Sequence, residues 1–230
     1  MEAIVLAGGF GTRLQSVVAD VPKPMAMVHN KPFLEHLFYY LKENGITRVI
    51  LSVGYKYEII EDYFKNSFAG IEIDYAIEEE PLGTGGAILN AVSHARQDHV
   101  FIINGDTFFN VDLKILLSRH LSYQSDLTLS LKPMQNFDRY GCVAMDAKNK
   151  VSSFKEKEFV VKGNINGGIY ILNKQVFQSF QLPAVFSFEV FMQENINELN
   201  IYAAIFDNYF IDIGIPEDYK KAQTELVQQL

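Results

Sequence analysis

The 230-residue sequence contains no tryptophan and a single cysteine, Cys142, so no disulfide can form within one chain. A lone thiol fits a reducing compartment, and its default role is that of a small packed residue. No apolar run approaches the roughly 18 residues needed to cross a bilayer, so a membrane protein is not expected. The first residues lead into a strand-like run without a charged leader, so no signal peptide is expected and the expected location is cytoplasmic. Positive charge is also scarce: 20 Lys and Arg stand against 28 Asp and Glu, a formal net charge of −8. That balance argues against a general nucleic-acid binder, which needs a basic face for the phosphate backbone. A few fixed cations can still hold one small anion. The five histidines are scattered and sit in no matched motif, so no Ser/His or Cys/His nucleophile is indicated.

What is present is ordinary for a soluble enzyme-like domain: 48% hydrophobic and 21% charged residues, in a chain long enough for one large α/β core. Ala3 to Ala7 is a continuous apolar run that ends in glycines, the pattern of a strand buried on both faces. Arg48–Val53, Ile71–Ile77 and His99–Asn104 read as further strands. Helical stripes lie between them, at Phe33 to Leu41 with an Asn44-Gly45 stop, near Glu58 to Phe64, and at Ala87 to Ala95. This alternation predicts a parallel sheet with helices on both faces.

After about residue 126 the pattern changes to alternating strands at Leu127 to Leu131, a hairpin at Gly141 to Val151, and strands at Ile165 to Leu172 and Ile201 to Ile205. Helices are expected over Ser187 to Asn195 and from Pro216 to the end. No linker or repeat divides the chain, so residues 1–230 read as one domain. Its expected parts are a nucleotide-binding half (about 1–125), a second half (about 126–215) and a terminal helix (216–230). Tyr39, Tyr40 and Tyr63 fall on helices, where they suit either a homo-oligomer interface or core packing.

Gly8-Gly9-Phe10-Gly11-Thr12-Arg13-Leu14 follows the first strand at the edge where open α/β sheets bind ligands. Glycines let successive backbone N–H groups approach phosphate oxygens. The loop is not a G-x-x-x-x-G-K-S/T phosphate loop, because no lysine follows. Nor is it a dinucleotide fingerprint, because Leu14 stands where the last glycine belongs and the second strand ends in Val53-Gly54-Tyr55 without an acid. Arg13 and Lys23, the latter clamped between Pro22 and Pro24, supply two positioned cations suited to a polyphosphate. Taken alone, the loop could also be a tight turn with two surface cations. Asp106 in Asn104-Gly105-Asp106 suits Mg²⁺, although an Asx turn would also account for it. Asp212 in Phe210-Ile211-Asp212-Ile213-Gly214, an acid among apolar residues, needs a partner, of which a metal is one option.

L-A-G-G-F-G-T-R-L followed by P-K-P resembles the signature of the sugar-1-phosphate nucleotidyltransferases, and the resemblance runs from Glu2 to about Tyr219. It implies a Rossmann-like three-layer α/β/α fold with a mixed, mostly parallel central sheet and an inserted antiparallel sugar-binding part. It implies that Leu6, Ala7, Gly8, Gly9, Gly11, Thr12, Arg13 and Lys23 hold the nucleotide, with Asn104 and Gly105 nearby. Arg13, Lys23, Asp106, Lys157 and Asp212 become the catalytic set, and Asp106 and Asp212 the Mg²⁺ ligands. Glu80, Pro81, Gly83, Thr84 and Gly85 correspond to the segment around base and ribose.

Glu78 stands where related uridylyltransferases carry glutamine. A carboxylate there matches the paired N–H donors of guanine, so GTP is the expected nucleotide, with Glu80 as the alternative acceptor. Phe154-Lys155-Glu156-Lys157 resembles the family's F-x-E-K element, although Glu158 replaces the proline that commonly follows. By the same resemblance Tyr140, Gly141, Glu156, Lys157, Asn166, Gly167 and Gly168 meet the sugar 1-phosphate. The segments M-Q-N-F-D-R-Y-G and N-Y-F-I-D-I-G-I-P-E-D-Y are most like a branch of the family that uses GTP and a heptose 1-phosphate. Mannose 1-phosphate is the alternative sugar, and a catalytically silent nucleotide-sugar sensor the alternative class.

Overall fold

The structure is a computed structural model that describes residues 1–9, 14, 18, 20–155 and 158–229. Gly11, Thr12, Arg13, Glu156 and Lys157 lie outside the described residues.

The first half comprises β1 (Glu2–Leu6), the short pair β2 (Met27–Val28) and β3 (Lys31–Pro32), α1 (Phe33–Glu43), β4 (Arg48–Val53) and α2 (Tyr57–Phe64). It continues through β5 (Ser67–Phe68), β6 (Ile71–Ile77), α3 (Gly83–Val92) and β7 (His99–Asn104). Next come β8 (Thr107–Phe109), α4 (Leu113–Ser122), β9 (Leu127–Phe137), β10 (Val143–Met145), β11 (Val151–Phe154) and β12 (Val160–Asn173). The chain closes with α5 (Phe188–Glu194), β13 (Ile201–Ile205), β14 (Phe210–Asp212) and α6 (Pro216–Glu225).

Eight strands form one sheet in the order β13-β9-β12-β7-β1-β4-β6-β5. Strands β7, β1, β4 and β6 run parallel, as expected of strands separated by helices. Strand β12 enters antiparallel beside β7, β9 pairs antiparallel with β12, and β13 is parallel to β9. The second half thus extends the first half's sheet, and its added antiparallel ribbons are β10–β11 and β8–β14.

Alternate residues of the central strands feed two cores. Ala3, Val5, Val49, Leu51, Phe101 and Ile103 pack with α1 and α4 on one face. Ile4, Ile50, Val100 and Ile102 pack with Ile88 of α3 and with Phe188, Phe191 and Met192 of α5 on the other. A strand buried on both faces needs apolar residues throughout, which is why β1 and β7 read as unbroken apolar runs. The result is the three-layer α/β/α architecture. Tyr40 belongs to the core, its hydroxyl donating to the Val111 carbonyl at 2.8 Å, whereas Tyr39 and Tyr63 are exposed.

Asn44 caps α1 and Gly45 takes a φ of +81°, so the expected stop is there. Helix α4 was not anticipated from the sequence. Its buried face is only Leu113, Leu116 and His120, too sparse a stripe to stand out, although its Asp112 N-cap accepts from the backbone N–H of Lys114 and Ile115.

Candidate active site

From β1 the chain moves outward to β4 and β6, then returns to place β7 on the other side of β1. The carboxyl end of β1 is therefore the point where strand order reverses, the place where open α/β sheets form ligand crevices. A cavity of about 410 Å³ opens there, lined by Leu6 at the end of β1, by Ala7, Gly8 and Gly9 after it, and by Asn104 at the end of β7. Gly8 is closely packed: a Cβ on it would lie 2.7 Å from Glu78 Oε1 and 3.3 Å from the Gly54 nitrogen. Glu78 is held from two sides, with Ser52 Oγ donating to Oε1 at 3.1 Å and the Leu82 N–H donating to Oε2 at 3.2 Å.

Pro81, Gly83 and Thr84 join this wall, but Glu80, Gly85 and Gly105 do not line it. Gly85 and Gly86 serve packing instead. A Cβ on Gly85 would sit 2.2 Å from the Phe186 ring, and one on Gly86 2.3 Å from the Ala184 carbonyl oxygen. Gly105 fits beneath the Leu6 carbonyl, to which its N–H donates at 2.9 Å.

Lys23 opens a single 3₁₀ turn whose next residue is Pro24. Its ammonium donates to Asp106 Oδ2 at 2.5 Å and lies 3.9 Å from Asp212 Oδ1. The β8–β14 ribbon explains how acids so far apart in sequence converge: Asp212 pairs with Thr107, and the Ile213 N–H donates to the Asp106 carbonyl at 3.0 Å. The Gly214 N–H donates to Asp212 Oδ1 at 2.7 Å. A side chain at Gly214 would meet both that oxygen and the Lys23 ammonium, at 2.8 and 3.0 Å.

Burial, and then the neighbouring negative charge of Asp106, push the Asp212 carboxyl above the usual carboxylate range, against the pull of Lys23. Two carboxylates converging on one point thus demand a cation, and the Lys23 ammonium supplies one here. Two hard oxygen donors beside the first cavity also match the few protein ligands that Mg²⁺ takes. Among the described residues no group of three or more His, Cys, Asp or Glu side chains forms a closed metal cage.

A second cavity, of about 760 Å³, shares Asn104, Asp106 and Glu189 with the first, so the two are adjacent. Asn166, Gly167 and Gly168 line it, at a shift of register between β12 and β9. Gly168 has a φ of +74°, and a Cβ there would lie 2.8 Å from Asn104 Nδ2. A Cβ on Gly167 would meet the Phe109 ring at 2.5 Å. These glycines therefore let β12 bend over β8 as well as leaving backbone open to a ligand.

Tyr140 and Gly141 line the same cavity, as do Asp212, Cys142 and Lys155. The adjacent Arg139 is tied to Asp218 of α6 at 2.7 Å and lies over the Tyr140 ring at 5.4 Å from its centroid. Pro24, Ser52, Ala87, Glu189, Gln193 and Gly214 line the cavities without having been singled out as ligands. Glu189 carried no usable signal, because an acid in the first turn of a helix ordinarily complements the helix dipole.

A glycine-edged crevice at the reversal point, with two acids and a lysine meeting where it joins a second cavity, defines a phosphate-transferring α/β enzyme domain. Residues 2–229 match the nucleotidyl transferase family, and the chain belongs to it. It is 55% identical over 227 residues to the D-glycero-α-D-manno-heptose 1-phosphate guanylyltransferase of Aneurinibacillus thermoaerophilus, with 98% of each chain covered. It is 54% identical over 219 residues to the protein of the same name from Campylobacter jejuni, covering 95% of this chain and 97% of that one. The crystal structure of HddC from Yersinia pseudotuberculosis aligns with a TM-score of 0.88 at 40% identity, over 98% of this chain and 99% of that chain. The same protein has also been solved in complex with GMP-PN.

Proposed function

We propose that the protein transfers a guanylyl group from GTP to D-glycero-α-D-manno-heptose 1-phosphate, giving GDP-heptose and pyrophosphate for surface-polysaccharide synthesis in the cytoplasm. The observation that carries this reading is the convergence of Asp106, Asp212 and Lys23 where the two cavities meet. Among the described residues no helix is long and apolar enough to cross a membrane, which is compatible with that location.

In this reading the part up to about residue 125 holds the nucleotide, and residues from about 126 to 215 hold the sugar. The backbone at Gly8 and Gly9 borders the phosphates. Glu78 accepts from the N1–H and N2–H₂ donors of guanine, with its carboxylate fixed by Ser52 and the Leu82 N–H. Tyr140, Gly141 and the Asn166–Gly168 bend surround the sugar. Asp106 and Asp212 would hold Mg²⁺, which when bound neutralises phosphate charge and polarises the reacting phosphoryl group.

A phosphate oxygen of the sugar 1-phosphate forms a bond to the α-phosphorus, the bond from that phosphorus to the β-phosphate bridging oxygen breaks, and its electron pair leaves with pyrophosphate. No covalent enzyme intermediate is needed. The protein's contribution is alignment and charge. Lys23 keeps positive charge beside the two acids, Arg13 takes the charge of the departing pyrophosphate, and Lys157 steers the sugar phosphate.

Pyrophosphate release with Mg²⁺, crossing four nucleoside triphosphates with heptose, mannose and glucose 1-phosphates, tests the reading. Release with GTP and the heptose 1-phosphate supports both halves of it. Release with another pair keeps the reaction class and overturns the substrate, and tight binding of a nucleotide sugar without any turnover indicates a sensor.

A further inference from the structure

Helix α5 faces both cavities, and no step above uses it. Phe188, Phe191 and Met192 are buried in the core, which sets the helix's rotation. Glu189 and Gln193, four residues apart and therefore neighbours on the helix surface, both line the second cavity. The start of α5 is fastened to the start of α3: the Gly85 N–H donates to the Phe186 carbonyl, and the Phe188 N–H to Thr84 Oγ1, each at 2.9 Å.

Thr84 Oγ1 and Ser187 Oγ both donate to Glu189 Oε2 at 2.9 Å. Among the described residues no donor meets the other oxygen of Glu189, and the Gln193 side-chain amide has no hydrogen-bond partner. Two exposed polar groups on a fixed helix thus face the cavity, open to a ligand.

The sugar's phosphate belongs beside Asp106, where this cavity joins the first one and where Lys23, Asp212 and Arg139 gather charge. Gly141, Gly167 and Gly168 offer backbone to the pyranose ring. Of the rest of the wall, α5 is the element that contributes a carboxylate and an amide side by side. A carboxylate is a poor neighbour for phosphate but a good acceptor for a hydroxyl, and an amide offers both a donor and an acceptor.

The geometry points to Gln193, with Glu189 beside it, as the group that hydrogen bonds the exocyclic side chain of the sugar. A heptose carries there one carbon and one hydroxyl more than a hexose. Glu189, which reaches both cavities, takes the hydroxyl that hexose and heptose have in common; Gln193, which lines only the second, takes the additional one. This assignment rests on the proposed heptose 1-phosphate reading and names the residues that separate that sugar from mannose.

The test is steady-state kinetics of the wild-type and Gln193→Ala proteins with GTP and heptose 1-phosphate, with mannose 1-phosphate as a competitor. The exposed helical position accepts alanine, so folding is expected to be unaffected. The variant's KM for heptose 1-phosphate rises about tenfold, the scale of one lost hydrogen bond to substrate. Its kcat, its KM for GTP and the inhibition constant of mannose 1-phosphate change less than about twofold, well inside that scale. Equal weakening of both sugars, an effect on GTP alone, or no change overturns the assignment while leaving the guanylyltransferase reading intact. Wild-type protein that does not turn over heptose 1-phosphate at all overturns that reading first, and the assignment with it.

Discussion

The ammonium of Lys23 lies 2.5 Å from Asp106 and 3.9 Å from Asp212, so a lysine in the first quarter of the chain neutralises an acid pair assembled by a ribbon from its far end. Gly214 leaves room for this contact. The three side chains act as one electrostatic unit, and a change at any of them alters the charge where the two cavities meet.

Asp106→Asn keeps the shape of the side chain and removes its charge. In the proposed reaction kcat falls by about 10²–10³ or more, the scale of losing one positioned electrostatic contact. Stability changes little, because Asp106 is a third exposed and the pair is partly solvated. Turnover assays run beside thermal unfolding check this. Wild-type-like turnover in the variant removes Asp106 from the catalytic set.

Gly86→Ala tests whether α3 depends on close contact with the 184–186 segment. Alanine favours a helix by about 1 kcal/mol over glycine, but its Cβ would lie 2.3 Å from the Ala184 carbonyl oxygen, a backbone atom. Overpacking of this kind costs about 1–3 kcal/mol, so a net loss is expected and read as a lower urea midpoint. Gly83 and Thr84 sit on the same helix and line the first cavity, so under the proposed function the KM for GTP rises as well. A midpoint above wild type would show that the segment yields freely.

His120 sets a pH limit on stability. It is buried between Thr128 Oγ1 at 2.8 Å and His99 Nδ1 at 2.9 Å. Burial, then the neighbouring His99, push its imidazole down to about 4 from an ordinary 6.5. The unfolded chain therefore binds the proton more readily than the folded one between these values. Stability is full above about pH 6.5 and is lost as pH falls toward 4, by roughly 3 kcal/mol in total. Urea midpoints at pH 7 and pH 4.5, for wild type and His120→Gln, check the sign. The variant should lose less on acidification than the wild type, and an equal loss in both would assign the acid sensitivity to other groups.

Some strands were legible residue by residue. Arg48–Val53, Ile71–Ile77, His99–Asn104 and Ile201–Ile205 have the bounds that their apolar patterns predict. Two of them, β4 and β7, are flanked by helices on both faces, so nearly every position is under the same demand for apolar residues. Strand β12 was only half seen: it begins at Val160, five residues before the predicted start, because Lys162-Gly163-Asn164 interrupts the apolar pattern where the strand pairs with β9 beyond the core.

The candidate site divides in the same way. Gly8, Gly9, Lys23, Asp106 and Asp212 stood out because a glycine loop, a proline-clamped lysine and acids at strand ends are local patterns with a chemical meaning. Gly85 and Gly105 looked the same in one dimension, yet their missing side chains make room for Phe186 and for the Leu6 carbonyl. Glu189 and Gln193 looked like an ordinary polar helix face.

The sequence by itself determined the alternation of strands and helices, the family, and Lys23, Asp106 and Asp212 as a candidate set of charged residues. These follow from side-chain chemistry and from periodicity within a few residues. The tertiary structure decided which glycine faces a cavity and which faces a neighbour, that Lys23 sits between Asp106 and Asp212, and that α5 borders both cavities. The reason is that strand order and helix rotation are set by long-range burial, and no short stretch of sequence records what will lie opposite it.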